Sequence, residues 1–247
     1  MNFFSLFKRK ILYKLKNKID IDNDGINFHD LDELFHHYGS DKANIFSGTR
    51  SKGHGFSTFY TRKLEFFKNK KINILEVGSY AGASAAAFKK YFKDSNIYCL
   101  DINISNFRYS SKDIHVFGLD ICEKKKLDKI LKEINFENNE YFFDLIIDDG
   151  SHNLSDILFS FKTLFRNLSK KGIYVIEDFK HPNYYKYNRN IDHILIDQLL
   201  DKLRNKKFFE SNIIDKKDQS YLFDNISKIE TYKGNLEDSD ISFIEKI

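Results

Sequence analysis

Three short stretches gather the residues able to do chemistry. In "FDLIIDDGSHN", Phe143 to Asn153, an apolar run ends in Asp148, Asp149, Gly150, Ser151 and His152. In "GIYVIEDF", Gly172 to Phe179, a second run ends in Glu177 and Asp178. In "ILEVGSYAGAS", Ile74 to Ser84, Glu76 precedes a turn bracketed by Gly78 and Gly82. Carboxylates brought together repel unless a proton or a cation lies between them. Asp149, Glu177 and Asp178 offer an oxygen-only set, which suits Mg²⁺. The two stretches that carry them hold no cysteine and no second histidine to point to zinc. His152 follows Asp149 by three residues and can reach the same crevice. An imidazole there can take the proton of a hydroxyl that a metal has acidified. Singly, each acid could equally cap a helix or face water at a strand end, and His152 could cap a helix. Together, beside a glycine turn, they read as a site.

For the two acidic ends to meet, their strands must be neighbours, about 4.8 Å apart in a sheet. The surrounding pattern provides this. "INILEV", "NIYCLD", "IHVFGLD", "FDLIID" and "GIYVIED" alternate with the helical stretches "GSYAGASAAAFKKYF", "KKLDKILKEI" and "LSDILFSFKTLFRNL". Such alternation predicts an α/β fold, a Rossmann-like doubly wound, mostly parallel sheet with helices on both faces. "IDHILIDQLLDKLRN" adds a helix, and "ISKIETYKGNLEDSDISFIEKI" reads as an antiparallel C-terminal hairpin at one edge. Residues 1–70 form a helical N-terminal segment, divided near Lys70–Lys71 from an α/β domain over 71–247. Within the first segment Leu31, Leu34, Phe35 and Tyr38 mark a helix stopped by Gly39. Gly39 to Gly55 is a long loop, of the kind that closes over a substrate. Its Lys42, Arg50, Lys52 and His54 could meet the phosphates of a nucleotide sugar or remain solvated surface charge. A helix resumes near Ser57 and carries Tyr60.

Ligands of open α/β sheets lie beyond the carboxyl ends of the strands. At the first such end the dinucleotide fingerprint fails, because Tyr80 stands where its second glycine belongs and Ala83 where its third does. Glu76 is a poor neighbour for phosphate and a good one for an amine. Asp101 ends the second strand, placed to accept from ribose hydroxyls, and Asp120 ends the third, able to accept from an adenine amino group. An amine, a ribose and an adenine without phosphate describe S-adenosylmethionine.

"ILEVGSYAGAS", "YCLDI" and "FDLIIDDGSH…YVIEDF" resemble class I S-adenosylmethionine-dependent methyltransferases. More narrowly they are similar to the metal-dependent sugar O-methyltransferases of the macrolide (mycinamicin) type. "HHYGSDK…HGFSTFY" resembles the segment preceding the core in that group. The resemblance runs from about Tyr38 to Phe179 and weakly includes the closing hairpin. It implies His152 as general base, aided by Asp149, with Asp149, Glu177 and Asp178 holding Mg²⁺. It implies cofactor contacts from Glu76, Gly78, Ser79, Tyr80, Gly82, Ser84, Asp101, Asp120 and Asp148. Acceptor contacts would come from His54, Tyr60, Tyr184 and Tyr185. The expected reaction is Mg²⁺-dependent O-methylation of a sugar hydroxyl, on a nucleotide sugar or glycan precursor in surface polysaccharide synthesis. A nicotinamide-dependent sugar epimerase or dehydrogenase is the alternative, disfavoured by the glycine pattern and by the lack of an evident Tyr-x-x-x-Lys relay. A nucleic-acid methyltransferase is another. Its Asn/Asp-Pro-Pro-aromatic motif is missing, and the sole proline is Pro182.

Composition is that of an ordinary globular chain, with 41% hydrophobic and 31% charged residues. Cys99 and Cys122 are too few for a disulfide framework and read as reduced core residues, which points to a cytoplasmic protein. No run approaches the roughly 18 apolar residues of a membrane span. Lys8, Arg9, Lys10, Lys14, Lys16 and Lys18 precede the first acid; removing those six from the net +4 leaves −2 for the rest. That distribution argues against a nucleic-acid partner. Phe4, Phe7, Ile11, Leu15 and Ile19 recur at helical spacing among these bases. This reads as a basic amphipathic helix; the stripe is expected to pack on its own domain or a sister subunit, without stable membrane insertion, and a membrane-surface role is the alternative. The remaining partner is a small-molecule sugar or nucleotide sugar, and homo-oligomerisation is left open.

Overall fold

The computed structural model describes residues 3–49, 51–134 and 143–247; Arg50 lies outside them. A seven-stranded sheet forms the centre: β1 (Ile72–Val77), β2 (Ser95–Asp101), β3 (Ile114–Gly118), β4 (Phe143–Asp148), β5 (Leu168–Glu177), β6 (Ile226–Lys233) and β7 (Asp240–Lys246). Their order is β6-β7-β5-β4-β1-β2-β3. The first five run parallel, while β7 pairs antiparallel with both β5 and β6. The hairpin expected from the C-terminal sequence is therefore present, with β6 at the edge.

The apolar runs of the central strands follow from their surroundings. Ile74, Leu75, Ile146, Ile147, Val175 and Ile176 are all fully buried, on both faces of the sheet. One face is covered by α5 (Lys124–Ile134), α6 (Leu154–Leu164), α7 (Ile196–Arg204) and α8 (Lys216–Asn225), whose buried residues join one apolar cluster. The other is covered by α2 (Leu31–Tyr38), α3 (Ser57–Leu64) and α4 (Ala83–Tyr91). The N-terminal segment thus shares its core with the sheet, across the Lys70–Lys71 division. Ala85, Ala86 and Ala87 give α4 a shallow surface, and Phe35 meets Phe88 edge-on at 5.2 Å. α2 is capped at its start by the Asp30 carboxylate, which accepts from the N–H groups of Asp32 and Glu33. It ends at Gly39, as the sequence predicts, and so delivers residues 39–42 to the sheet edge.

Two elements depart from expectation. The sequence reading passed over α8, although Asp215 caps it by accepting from the Asp218 N–H. The first helix, α1 (Phe3–Leu15), does not bury its apolar stripe on its own domain: Phe7 is 56% and Leu15 74% exposed. It is held by its other side, where Tyr13 meets Phe107 edge-on at 6.4 Å and Arg9 donates to the Ile102 carbonyl at 2.8 Å.

Sheet register positions the chemistry. Val77 pairs with Asp148, and Asp148 with Ile176. The next residue on each strand, Asp149 and Glu177, therefore emerges at the same carboxyl edge. β1 lies between β2 and β4, so the chain diverges there to either side, and a crevice opens at that point.

Candidate active site

A cavity of about 450 Å³ fills this crevice. Gly78, Ser79, Tyr80, Ser84, Asp101 and Asp120 are on its wall, and Asp149 is at its far end. Gly78 has φ +85°, and a Cβ there would stand 2.0 Å from the Asp149 carbonyl oxygen. Glycine at this position lets the ends of β1 and β4 touch, which brings the cavity against the acidic cluster. Gly82, with φ +79°, is required for another reason: its Cβ would strike the Phe107 ring at 2.5 Å. It shapes the turn from behind and is not on the wall.

Asp101 is held for its expected task. Its Oδ2 accepts from the Tyr80 N–H at 2.7 Å and its Oδ1 from the Asn103 N–H at 2.5 Å. The Tyr80 backbone is left-handed, with φ 42°, and its side chain is exposed. Asp120 Oδ1 accepts from the Cys122 N–H at 3.1 Å. Glu76 is buried just behind the wall. Its Oε1 accepts from Ser84 Oγ, while Oε2 is buried without a hydrogen-bond partner. Burial pushes the Glu76 carboxyl up to about 7. An orphaned carboxylate oxygen just behind the cavity wall fits an amine-bearing ligand such as S-adenosylmethionine. Asp148, expected at the cofactor, is instead buried in the core and accepts from the Tyr174 hydroxyl at 3.2 Å. Burial raises its carboxyl to about 6.

At the cavity's end, ligand atoms of Asp149, His152 and Asp178 lie within 4.8 Å of one another. His152 Nε2 is 3.6 Å from Asp149 Oδ1. His152 and Asp178 both have left-handed backbones, with φ 55° and 48°. Each such residue stores about 1–3 kcal/mol of strain, and this clustering is characteristic of functional sites. Asp178 Oδ1 stands 3.2 Å from His54 Nδ1. That nitrogen hydrogen-bonds to Ser239 Oγ at 2.9 Å, so the buried Asp178 oxygen is left without a hydrogen bond. Two carboxylates brought this close, one of them with a buried oxygen that accepts no hydrogen bond, fit a divalent cation.

Glu177 is placed differently from the expected metal set. Its Oε2 accepts from Lys42 Nζ at 2.6 Å and its Oε1 from the Tyr60 hydroxyl. The same Lys42 ammonium also pairs with Asp149 Oδ2. Lys42 is 1% exposed, so it faces no incoming phosphate, contrary to one expectation for this loop. Burial opposes its charge, but Asp149 and Glu177 more than offset this and hold the ammonium well above lysine's usual range. Burial, then Asp149, push the Glu177 carboxyl well up, against the pull of Lys42. The three acids do converge, and the positive charge between two of them is Lys42 of the Gly39–Gly55 loop, neither a phosphate contact nor a solvated surface charge.

The argument against nearby imidazoles also changes. His54 adjoins Asp178, and the His181 ring lies 5.3 Å from that of His152. Of the residues expected to meet the acceptor, Tyr60 is fully buried behind Glu177, and His54 is engaged by Asp178 and Ser239. Tyr184 donates to the Glu237 carbonyl at 3.0 Å. Tyr185 meets the His181 ring at 4.4 Å, tilted by 34°, and is 43% exposed.

No protein-family model matches the chain. Among curated proteins it is 30% identical over 156 residues to mycinamicin VI 2''-O-methyltransferase of Micromonospora griseorubida, covering 60% of this chain and 36% of that protein. It is 32% identical over 155 residues to L-olivosyl-oleandolide 3-O-methyltransferase of Streptomyces antibioticus, covering 60% and 36%. The matched segment thus spans about a third of the length of these relatives. Among solved structures it resembles a methyltransferase from the mycinamycin biosynthetic pathway in complex with Mg and SAH. That match has a TM-score of 0.65 and 25% identity, over 88% of this chain and 54% of the other.

Proposed function

We propose that this chain, which has the class I S-adenosylmethionine-dependent methyltransferase fold, moves a methyl group from S-adenosylmethionine to a sugar hydroxyl with the help of Mg²⁺. The observation that carries the reading is one juxtaposition. A nucleoside-sized cavity with Asp101 and Asp120 on its wall abuts, through the Gly78–Asp149 contact, a carboxylate–imidazole cluster. When bound, S-adenosylmethionine supplies the electrophilic methyl and Mg²⁺ lowers the pKa of the acceptor hydroxyl.

The chain's own residues divide the remaining work. Asp101, fixed by two backbone N–H groups, accepts from the ribose hydroxyls, and Glu76 receives the amine. Asp149 and Asp178 are the oxygen ligands suited to Mg²⁺ within the cluster, with Glu177 beside them on the same edge. Mg²⁺ prefers oxygen donors, so the His152 imidazole is left to take the hydroxyl proton. Asp149 Oδ1, at 3.6 Å, orients that ring and stabilises the charge it acquires. Tyr185 and His181 form an aromatic shelf on which a sugar ring can rest.

The relatives are named for acting on sugars of macrolide and tetracenomycin compounds, and we carry over the acceptor class, a sugar hydroxyl. Lys42 is taken up by Asp149 and Glu177 and so is not the contact for a nucleotide sugar's phosphate; the reading rests on the acceptor's hydroxyl and ring. A panel of nucleotide sugars, free sugars and glycosylated natural products, assayed with labelled S-adenosylmethionine, tests this. Transfer to none of them would reject the sugar assignment.

A further inference from the structure

We propose that α1 docks the protein on an anionic lipid surface, lying flat with its apolar stripe against the bilayer. Phe7, Ile11 and Leu15 follow one another at helical spacing and are 56%, 43% and 74% exposed. Leu12, beside them, is 41% exposed. The helix is fixed to the protein from its opposite side by Arg9 and Tyr13, one turn apart. The stripe therefore points outward in the folded protein and is not waiting for a place in its own core.

Charge selects the occupant. Lys8, Lys10 and Lys14 lie along this helix, Lys16 and Lys18 follow it, and no acid precedes Asp20. A second copy seated stripe to stripe would bring two such basic segments together. An anionic headgroup layer complements them, and a basic helix with exposed phenylalanine and leucine is suited to the interface between headgroups and acyl chains. At 13 residues α1 is too short to cross a bilayer, and no helix among the described residues is long and apolar enough to do so. The helix adjoins the cavity through its anchored side: Arg9 holds the carbonyl of Ile102, which is on the cavity wall and itself 41% exposed.

The test is flotation of the full chain with vesicles of phosphatidylcholine and phosphatidylglycerol, or of phosphatidylcholine alone, at physiological salt. The protein is expected to float with the anionic vesicles only. Phe7→Asp with Leu15→Asp, and separately Lys8→Glu with Lys14→Glu, should each lower binding about tenfold or more. Circular dichroism and S-adenosylmethionine binding should not change, since these side chains are on the surface. Failure of the parent to float with anionic vesicles would overturn the proposal, as would equal binding to neutral vesicles or undiminished binding by both variants. A lipid-free dimer that Phe7→Asp with Leu15→Asp converts to monomer would also overturn it, by assigning the stripe to a second copy.

Discussion

Replacing Lys42 by methionine removes the one cation that the structure places between Asp149 and Glu177, while keeping most of the side-chain volume. Taking away one partner of a buried ion pair costs about 3–5 kcal/mol, because the remaining charge stays buried and uncompensated. The side chains of Lys42 and Glu177 are each 2% exposed, but that of Asp149 is 22% exposed. Solvent therefore screens part of the loss, and the low end of the range applies. For a chain of this size that corresponds to a fall in melting temperature of about 5–10 °C, measured by circular dichroism in excess chelator. Without the ammonium, Glu177 takes up a proton more readily, so the deficit should be smaller at the lower of two pH values. If the cluster also binds a divalent ion, Mg²⁺ should restore more stability to Lys42→Met than to the parent. A variant that melts with the parent in chelator at both pH values would refute the premise that Lys42 compensates this charge.

Glu76→Gln should weaken S-adenosylmethionine binding about 10- to 100-fold by calorimetry, the cost of a lost charge-assisted hydrogen bond. The Glu76 carboxyl titrates near 7 in the folded protein against 4.5 ordinarily, so the unfolded chain releases this proton first. Its contribution to stability is full below about 4.5 and lost as pH rises to about 7, by at most about 3 kcal/mol, and Glu76→Gln should flatten that limb. Cofactor affinity of the parent should conversely strengthen as pH rises towards 7, since the amine needs the ionised carboxylate. His152→Ala should lower turnover about 10²–10⁴-fold, with much less change in acceptor KM and none in cofactor binding. Gly78→Ala should lose both cofactor binding and stability, because a Cβ 2.0 Å from the Asp149 carbonyl forces β1 and β4 apart; retention of both would show that the two strand ends can separate freely.

The sheet was legible because its central strands are buried on both faces and read as unbroken apolar runs, and because β4 and β5, joined by one helix, became neighbours. That alone predicted the meeting of Asp149 with Glu177. Side-chain direction was not legible to the same degree. Successive residues at a strand end point to opposite sides, so "DD" and "ED" could not say which acid faces the cavity. Asp148 turned to Tyr174, and Glu177 to Lys42 and Tyr60. The partners of the three N-terminal contributors were hidden by sequence distance: His54 and Tyr60 were expected against the acceptor, not against Asp178 and Glu177, and Lys42 was not expected between two acids. A lysine and a histidine in a glycine-containing loop look like surface charge until α2 and α3, packed on the alanines of α4, bring that loop against the acidic edge. Gly82 brackets the turn as read, but what it makes room for is the Phe107 ring, which the sequence places well downstream, and not the cavity.

The most direct measurement follows labelled methyl from S-adenosylmethionine into a panel of glycosylated acceptors, with Mg²⁺ and again in excess chelator. The account predicts label at a sugar oxygen with Mg²⁺ and none in chelator, while calorimetry still shows the cofactor bound in both conditions. Transfer at an undiminished rate in chelator, or a bound cofactor with no transfer to any sugar under either condition, would contradict it.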